Sequence, residues 1–137
     1  MDAEVTRYNA HSNARRLGGA NRLEAQDLAR QIVDLASEKQ ASDIVLLDLH
    51  NVSLLADYFV VCSGNSERQI NAILVGIVEP VRDTAHRRPL RREGTPSSGW
   101  VLLDYGDVVV HIFAPAEREY YRLEELWSDA TPVVRVQ

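Results

Sequence analysis

The chain has 137 residues, 45% of them hydrophobic and 26% charged, with a formal charge of −5 at neutral pH and one cysteine. That length suffices for one domain burying roughly two thirds of its unfolded surface, and the lone Cys62 has no internal disulfide partner, so a buried thiol in a reduced setting is expected. The negative balance excludes a general nucleic-acid coat; no stretch reaches the roughly 18 apolar residues of a membrane span, and the N-terminus lacks a secretion signal's apolar core, so a cytoplasmic protein without a membrane partner is expected.

Residues 1–22 are polar and weakly basic without a sustained period, which predicts a disordered extension whose Arg15, Arg16 and Arg22 are in reach of RNA or simply solvated. Residues 23–137 carry eleven basic against eighteen acidic side chains, a surface that favours a basic partner. Asn21 with Glu24 three residues on forms a helix start, and Leu28, Ile32 and Leu35 repeat at helical spacing, predicting a helix from about Leu23 to Lys39. Ile44 to Leu49 is a short apolar run interrupted by Asp48, read as a strand buried on both faces. Tyr58 to Ser63 is a second strand that ends at Gly64 and holds Cys62.

Ser63-Gly64-Asn65-Ser66 forms a strand-to-helix junction, where Ser66 and Gln69 fit a capping box. Ile70, Ile73, Leu74, Ile77, Val78 and Val81 make the buried stripe of the helix that follows, while Gly76 and Pro80 predict a bend near Glu79 or an early end. Free N–H groups at such a junction can also hold a phosphate, but neither Gly-rich phosphate-binding motif is present. His86 to Arg92 is the dense basic segment. A short edge strand is expected around Pro89 to Glu93, with Arg87, Arg88, Arg91 and Arg92 as candidates to meet RNA phosphate or to keep the edge solvated.

Gly99 to Phe113, GWVLLDYGDVVVHIF, predicts a β-hairpin turning at Asp104-Tyr105-Gly106-Asp107. With Asp104 facing Asp107, Leu103 pairs with Val108, Leu102 with Val109, Val101 with Val110 and Trp100 with His111. One face then shows Trp100, Leu102, Val109, His111 and Phe113, and the other Val101, Leu103, Val108, Val110 and Ile112. Both faces are apolar, so the ribbon needs cover on two sides, from helices on one and from further helix or another protein on the other.

Ala114-Pro115 starts a C-terminal helical segment in which Tyr120, Leu123, Leu126 and Trp127 can face the core. Glu124 and Glu125 are sequence neighbours that do not face each other on a helix, and are read as a solvated face. Residues 130–137 receive no element. The four histidines lie without Cys or His companions at zinc-ligand spacing, so no metal site, cofactor or catalytic set is expected.

Three blocks in order, ADYFVVCSGNSERQ at Ala56 to Gln69, GWVLLDYGDVVVHIF at Gly99 to Phe113 and EYYRLEELWSD at Glu119 to Asp129, resemble the ribosomal silencing factor or Iojap-like family. The resemblance covers residues 23–129 and leaves 1–22 and a tail at 130–137 outside. It implies a single α/β domain related to nucleotidyltransferases, with a mixed five-strand sheet and helices mainly on one face. It further implies binding to large-subunit ribosomal protein fourteen, steric blocking of small-subunit joining, repression of translation when nutrients are scarce, and a homodimer when free. Partner-binding then falls on Trp100, Val101, Leu103, Asp104, Tyr105 and Asp107, with a core role for Trp100 as the rival. The nucleotidyltransferase kinship suggests the alternative of an enzyme binding a nucleotide at Ser63, Gly64 and Ser66 with Mg²⁺ at Asp104 and Asp107. No Asp-x-Asp follows the Gly-Ser turn, and fold kinship does not carry function.

Overall fold

A computed structural model describes residues 22–53, 56–126 and 129–137. Helix α1, Arg22–Glu38, turns Ala25, Leu28, Ala29, Ile32, Val33 and Ala36 inward, and the alanines let it lie close on its neighbours. Strand β1, Ser42–Asp48, and strand β2, Tyr58–Ser63, follow. Ser66 caps the next helix, α2, Glu67–Ala85, by accepting the Gln69 N–H at 3.0 Å. Strand β3, Arg91–Glu93, a 3₁₀ turn at Pro96–Ser98, strand β4, Trp100–Asp104, and strand β5, Val108–Phe113, form the middle of the chain. Two short helices, α3, Pro115–Tyr121, and α4, Leu123–Leu126, precede strand β6, Thr131–Val136.

These strands make one mixed six-stranded sheet in the order β3-β4-β5-β2-β1-β6, in which β2 and β5 pair parallel and every other pair is antiparallel. The sixth strand corrects the expected five. Residues 130–137, set apart as a tail, supply it: β6 zips along β1, and its register skips Val133 between the pairs Leu46–Val134 and Leu47–Pro132. That irregularity accommodates a proline on an edge strand, where a missing N–H is tolerated.

Helices α1 and α2 cover one face, on which Ile44, Leu46, Val60, Val101, Leu103 and Ile112 are buried. The opposite face gathers Val45, Leu47, Phe59, Val61, Val109 and Phe113, and the chain covers it itself with Leu49, Ala56, Tyr121, Leu123 and Ala130. The second cover that the two apolar faces demand is therefore supplied from within.

Three local expectations are corrected. Helix α2 does not end early at Pro80 but runs 19 residues, because buried Ile77 and Val81 continue its stripe past the proline, and Thr84 Oγ1 donates to the Pro80 carbonyl at 2.8 Å. Packing outweighs the roughly 3 kcal/mol local penalty. The β4–β5 register is offset by two from the predicted one: Trp100 pairs with Phe113, Leu102 with His111 and Asp104 with Val109. Tyr105 N–H donates to the Val108 carbonyl at 2.9 Å, so the loop is Gly106-Asp107, with positive φ at Gly106 (+95°) and not at Asp107, the pattern of a glycine-first two-residue turn. An offset of two preserves every side chain's face, whereas an offset of one would have inverted the sheet. Finally, α3 stops at Tyr121 because Arg122 adopts a left-handed φ of +47°. The break resets the helical period, so Tyr120 is 81% exposed rather than core. Trp127 lies outside the described residues.

The hairpin turn is clamped from outside. Arg87 Nη1 and Nη2 donate to the two Asp107 carboxylate oxygens at 3.1 and 2.9 Å, and Nη2 also donates to the Tyr105 carbonyl at 2.6 Å. Asp57 N–H donates to the Asp107 carbonyl at 2.9 Å from the other side. Arg87→Ala should destabilise the fold by about 1–2 kcal/mol, since charge-assisted bidentate bonds at a half-buried site exceed an ordinary surface pair. Urea unfolding measures this, and a change within a few tenths would show the turn holds without the clamp.

Candidate functional site

Two glycines shape the approach to β4. Gly94 and Gly99 have φ of +80° and +82°; a Cβ on Gly94 would lie 1.9 Å from the Trp100 carbonyl oxygen, and one on Gly99 2.6 Å from the Glu117 carboxylate. Ala114 N–H donates to the Gly99 carbonyl at 2.8 Å, which starts α3 beside this loop and seats Glu117 on the glycine. Trp100 is half-buried at the start of β4. Its ring stacks on Phe113 with centroids 5.0 Å apart and meets Tyr121 at 4.6 Å, and its Nε1 donates to His111 Nδ1 at 3.2 Å. Tyr120 stands edge-on to Tyr121 at 5.0 Å. Trp100, Tyr120, Tyr121 and Glu117 thus line an open groove of about 640 Å³ at the margin of the sheet.

The six residues singled out from the hairpin are not brought together on one surface. Val101, Leu103 and Tyr105 are buried on the helix-covered face, and burial pushes the Tyr105 phenol up to about 12 despite the nearby Arg87. Asp104 is fully buried on Trp100's face, accepts the Gly106 N–H at 2.7 Å and lies 3.8 Å from Arg91. Asp107 is partly exposed and held by Arg87. Accessible surface therefore remains at Trp100 and Asp107. Glu117, Tyr120 and Tyr121, which the sequence reading did not place at the site, complete the groove; the one clue was a paired tyrosine next to an arginine, and its meaning depends on the left-handed break at Arg122. Of the four arginines of the basic segment, Arg87 clamps the turn and Arg91 sits 3.3 Å from Glu93, while Arg88 and Arg92 are exposed.

A second depression of about 640 Å³ opens at the carboxyl ends of β2 and β5, beside Ser63, Asn65, Arg118 and Arg122. Its polar groups around Ser63 and Arg118 are already engaged. Arg118 Nη1 donates to Ser63 Oγ at 2.8 Å, and its Nε and Nη2 bind the Glu124 carboxylate at 3.1 and 2.9 Å. Gly64 N–H donates to the Phe113 carbonyl at 2.9 Å and Asn65 N–H to Gln69 Oε1 at 2.7 Å. Asp104 and Asp107, the pair considered for Mg²⁺, each face an arginine instead, and among the described residues no group of three His, Cys, Asp or Glu is placed to hold a metal. Cys62 is buried, and desolvation raises its thiol to about 12, which suits packing and not nucleophilic chemistry. Among the described residues no helix is long and apolar enough to cross a membrane.

The family profile described as "Ribosomal silencing factor during starvation" matches residues 22–137. The chain is 41% identical over 111 residues to the protein named Ribosomal silencing factor RsfS from Halalkalibacterium halodurans, covering 79% of this chain and 92% of that one. It is 30% identical over 113 residues to the mouse protein named Mitochondrial assembly of ribosomal large subunit protein 1, across 81% of this chain and 50% of the mouse one. A crystal structure of a Chromobacterium violaceum protein superposes with a TM-score of 0.71 at 32% identity, covering 82% of this chain and 92% of that one.

His111 is a buried titratable group behind Trp100. It packs 4.8 Å from Phe59, and desolvation pushes its pKa down to about 3. It is therefore neutral at ordinary pH, and because Nδ1 accepts from Trp100, the proton sits on Nε2. The unfolded chain, with a histidine pKa near about 6.5, takes up this proton first, so the stability owed to neutral His111 is complete above about pH 6.5 and is lost as pH falls toward 3. The difference in unfolding free energy between wild type and His111→Phe should be flat above about pH 7. It should move in the variant's favour by about 1.4 kcal/mol per pH unit between about pH 6 and 4. Urea titrations across pH measure this, and a flat difference throughout would contradict the buried neutral imidazole.

Proposed function

Since the chain belongs to the ribosomal silencing factor family, we propose that it binds the large ribosomal subunit through ribosomal protein fourteen, sterically blocks joining of the small subunit, and so represses translation when nutrients are short. The groove at the sheet margin carries this reading. Trp100, Tyr121 and exposed Tyr120 offer rigid aromatic surface around the Glu117 carboxylate, a combination suited to a cationic side chain of a basic ribosomal protein. The excess of acidic side chains beyond residue 22 favours the same encounter. Exposed Arg88 and Arg92 add minor contacts to ribosomal RNA phosphate.

The silencing unit is the stretch from about Leu23 onward, working in the cytoplasm as a non-enzymatic factor that dimerises when free. A nucleotidyltransferase-like ancestry for the sheet is compatible with this, since a fold hosts many functions. The polar groups around Ser63 to Ser66 being engaged by Arg118, Gln69 and Phe113 gives nucleotide binding there little to work with.

Co-sedimentation with isolated large and small subunits tests the proposal. Trp100→Ala should weaken large-subunit binding at least about thirtyfold, as expected for a central aromatic anchor, and should lower thermal stability too, because the ring packs on Phe113. Tyr120→Ala isolates the surface role: at 81% exposure its loss should leave the melting temperature unchanged while weakening binding about tenfold. Wild-type affinity in both variants would remove the groove from the interface, and equal binding to both subunits would sink the proposal.

A further inference from the structure

We propose that His111, itself buried behind the groove, is a positioning residue that sets docking affinity by holding the Trp100 indole in one orientation. This rests on the docking role given to Trp100 above. The indole stacks on Phe113 at 5.0 Å between ring centroids and meets Tyr121 at a tilt at 4.6 Å. Stacking contacts of this kind have little directionality and leave the ring some freedom to slide and tilt. The indole N–H adds a directional restraint, because it is a donor and requires an acceptor. His111 Nδ1 supplies that acceptor at 3.2 Å.

The surroundings of His111 point the same way. Phe59 meets it edge-on at 4.8 Å, Phe113 lies near-parallel at 6.1 Å and Leu102 is its cross-strand partner. A phenyl ring would suit such neighbours better than an imidazole. The imidazole instead leaves Nε2 buried with no hydrogen-bond partner among the described residues, a placement that costs stability. A polar atom kept at a cost to the fold, whose one hydrogen bond runs to the residue facing the groove, acts on that residue and not on the core.

His111→Phe keeps the ring and deletes the acceptor. In uniformly ¹⁵N-labelled full-length protein, the Trp100 indole resonance, identified by its absence in Trp100→Phe, should shift and exchange with solvent at least about tenfold faster. Affinity for large subunits should fall about tenfold, with the thermal midpoint at neutral pH unchanged or raised. His111→Gln, whose amide oxygen can accept, should stay within about threefold of wild type. In a Trp100→Ala background, His111→Phe should change affinity by less than about twofold, because its effect passes through the indole. Wild-type binding by His111→Phe beside a weakened Trp100→Ala would overturn the positioning role while leaving the docking surface standing. Further weakening by His111→Phe in the Trp100→Ala background, or a Gln variant as weak as the Phe one, would likewise overturn it. Wild-type binding by Trp100→Ala would overturn both.

Discussion

Strands β2 and β5 lie side by side at the middle of the sheet and are buried from end to end, so this chain is stable only if apolar cover lies on both sides of them. A parallel central pair commonly carries this demand, because each strand is apolar on successive positions and has no polar face to offer water. Helix α1, with its buried alanines, and α2, with buried Ile70, Ile73, Leu74, Ile77 and Val81, answer it on one side. On the other side no long helix packs among the described residues. The segment after β5 folds back instead, and Tyr121, Leu123 and Ala130 close the face together with Leu49 and Ala56.

That second cover is short, and its shortness makes the site. Helix α3 has seven residues and α4 four, too little to roof the whole face, so the aromatic cluster is sealed around Phe59, His111 and Phe113 and left open at Trp100. The left-handed residue Arg122 that divides the two helices turns Tyr121 inward and Tyr120 out. Two glycines then bring the preceding loop and Glu117 against the same opening. The groove is thus the unfinished margin of a core, continuous with it and stiffened by it. Rigid aromatic surface of that kind loses little entropy when a partner arrives.

Much of the framework was legible because it rests on local rules. Strand β2 has the predicted limits, α1 begins and ends within a residue of expectation, and Ser66 caps α2 as its spacing with Gln69 suggests. The hairpin shows where local rules stop. Its faces follow from alternation alone, but its register turned on whether Tyr105 belongs to the loop or pairs with Val108, and it pairs with Val108 in a turn that Arg87 holds from outside through Asp107 and the Tyr105 carbonyl. Pro80 marks the same limit, since it reads as a breaker in isolation and is overruled by the buried stripe of α2.

By itself, then, the sequence determined which segments up to the C-terminal helices are helix or strand, though not β6, that the hairpin carries two apolar faces, and, through three ordered blocks, the family. These are properties of periodicity, capping and residue identity, which act within a few positions of one another. The tertiary structure decided which part of the second apolar face stays open. Trp100, Leu102 and Asp104 share that face by alternation, yet their exposure depends on Tyr121, Leu123 and Ala130 arriving from elsewhere in the chain. Alternation is a property of one strand's backbone, whereas exposure depends on what a distant segment covers, and no local pattern encodes that.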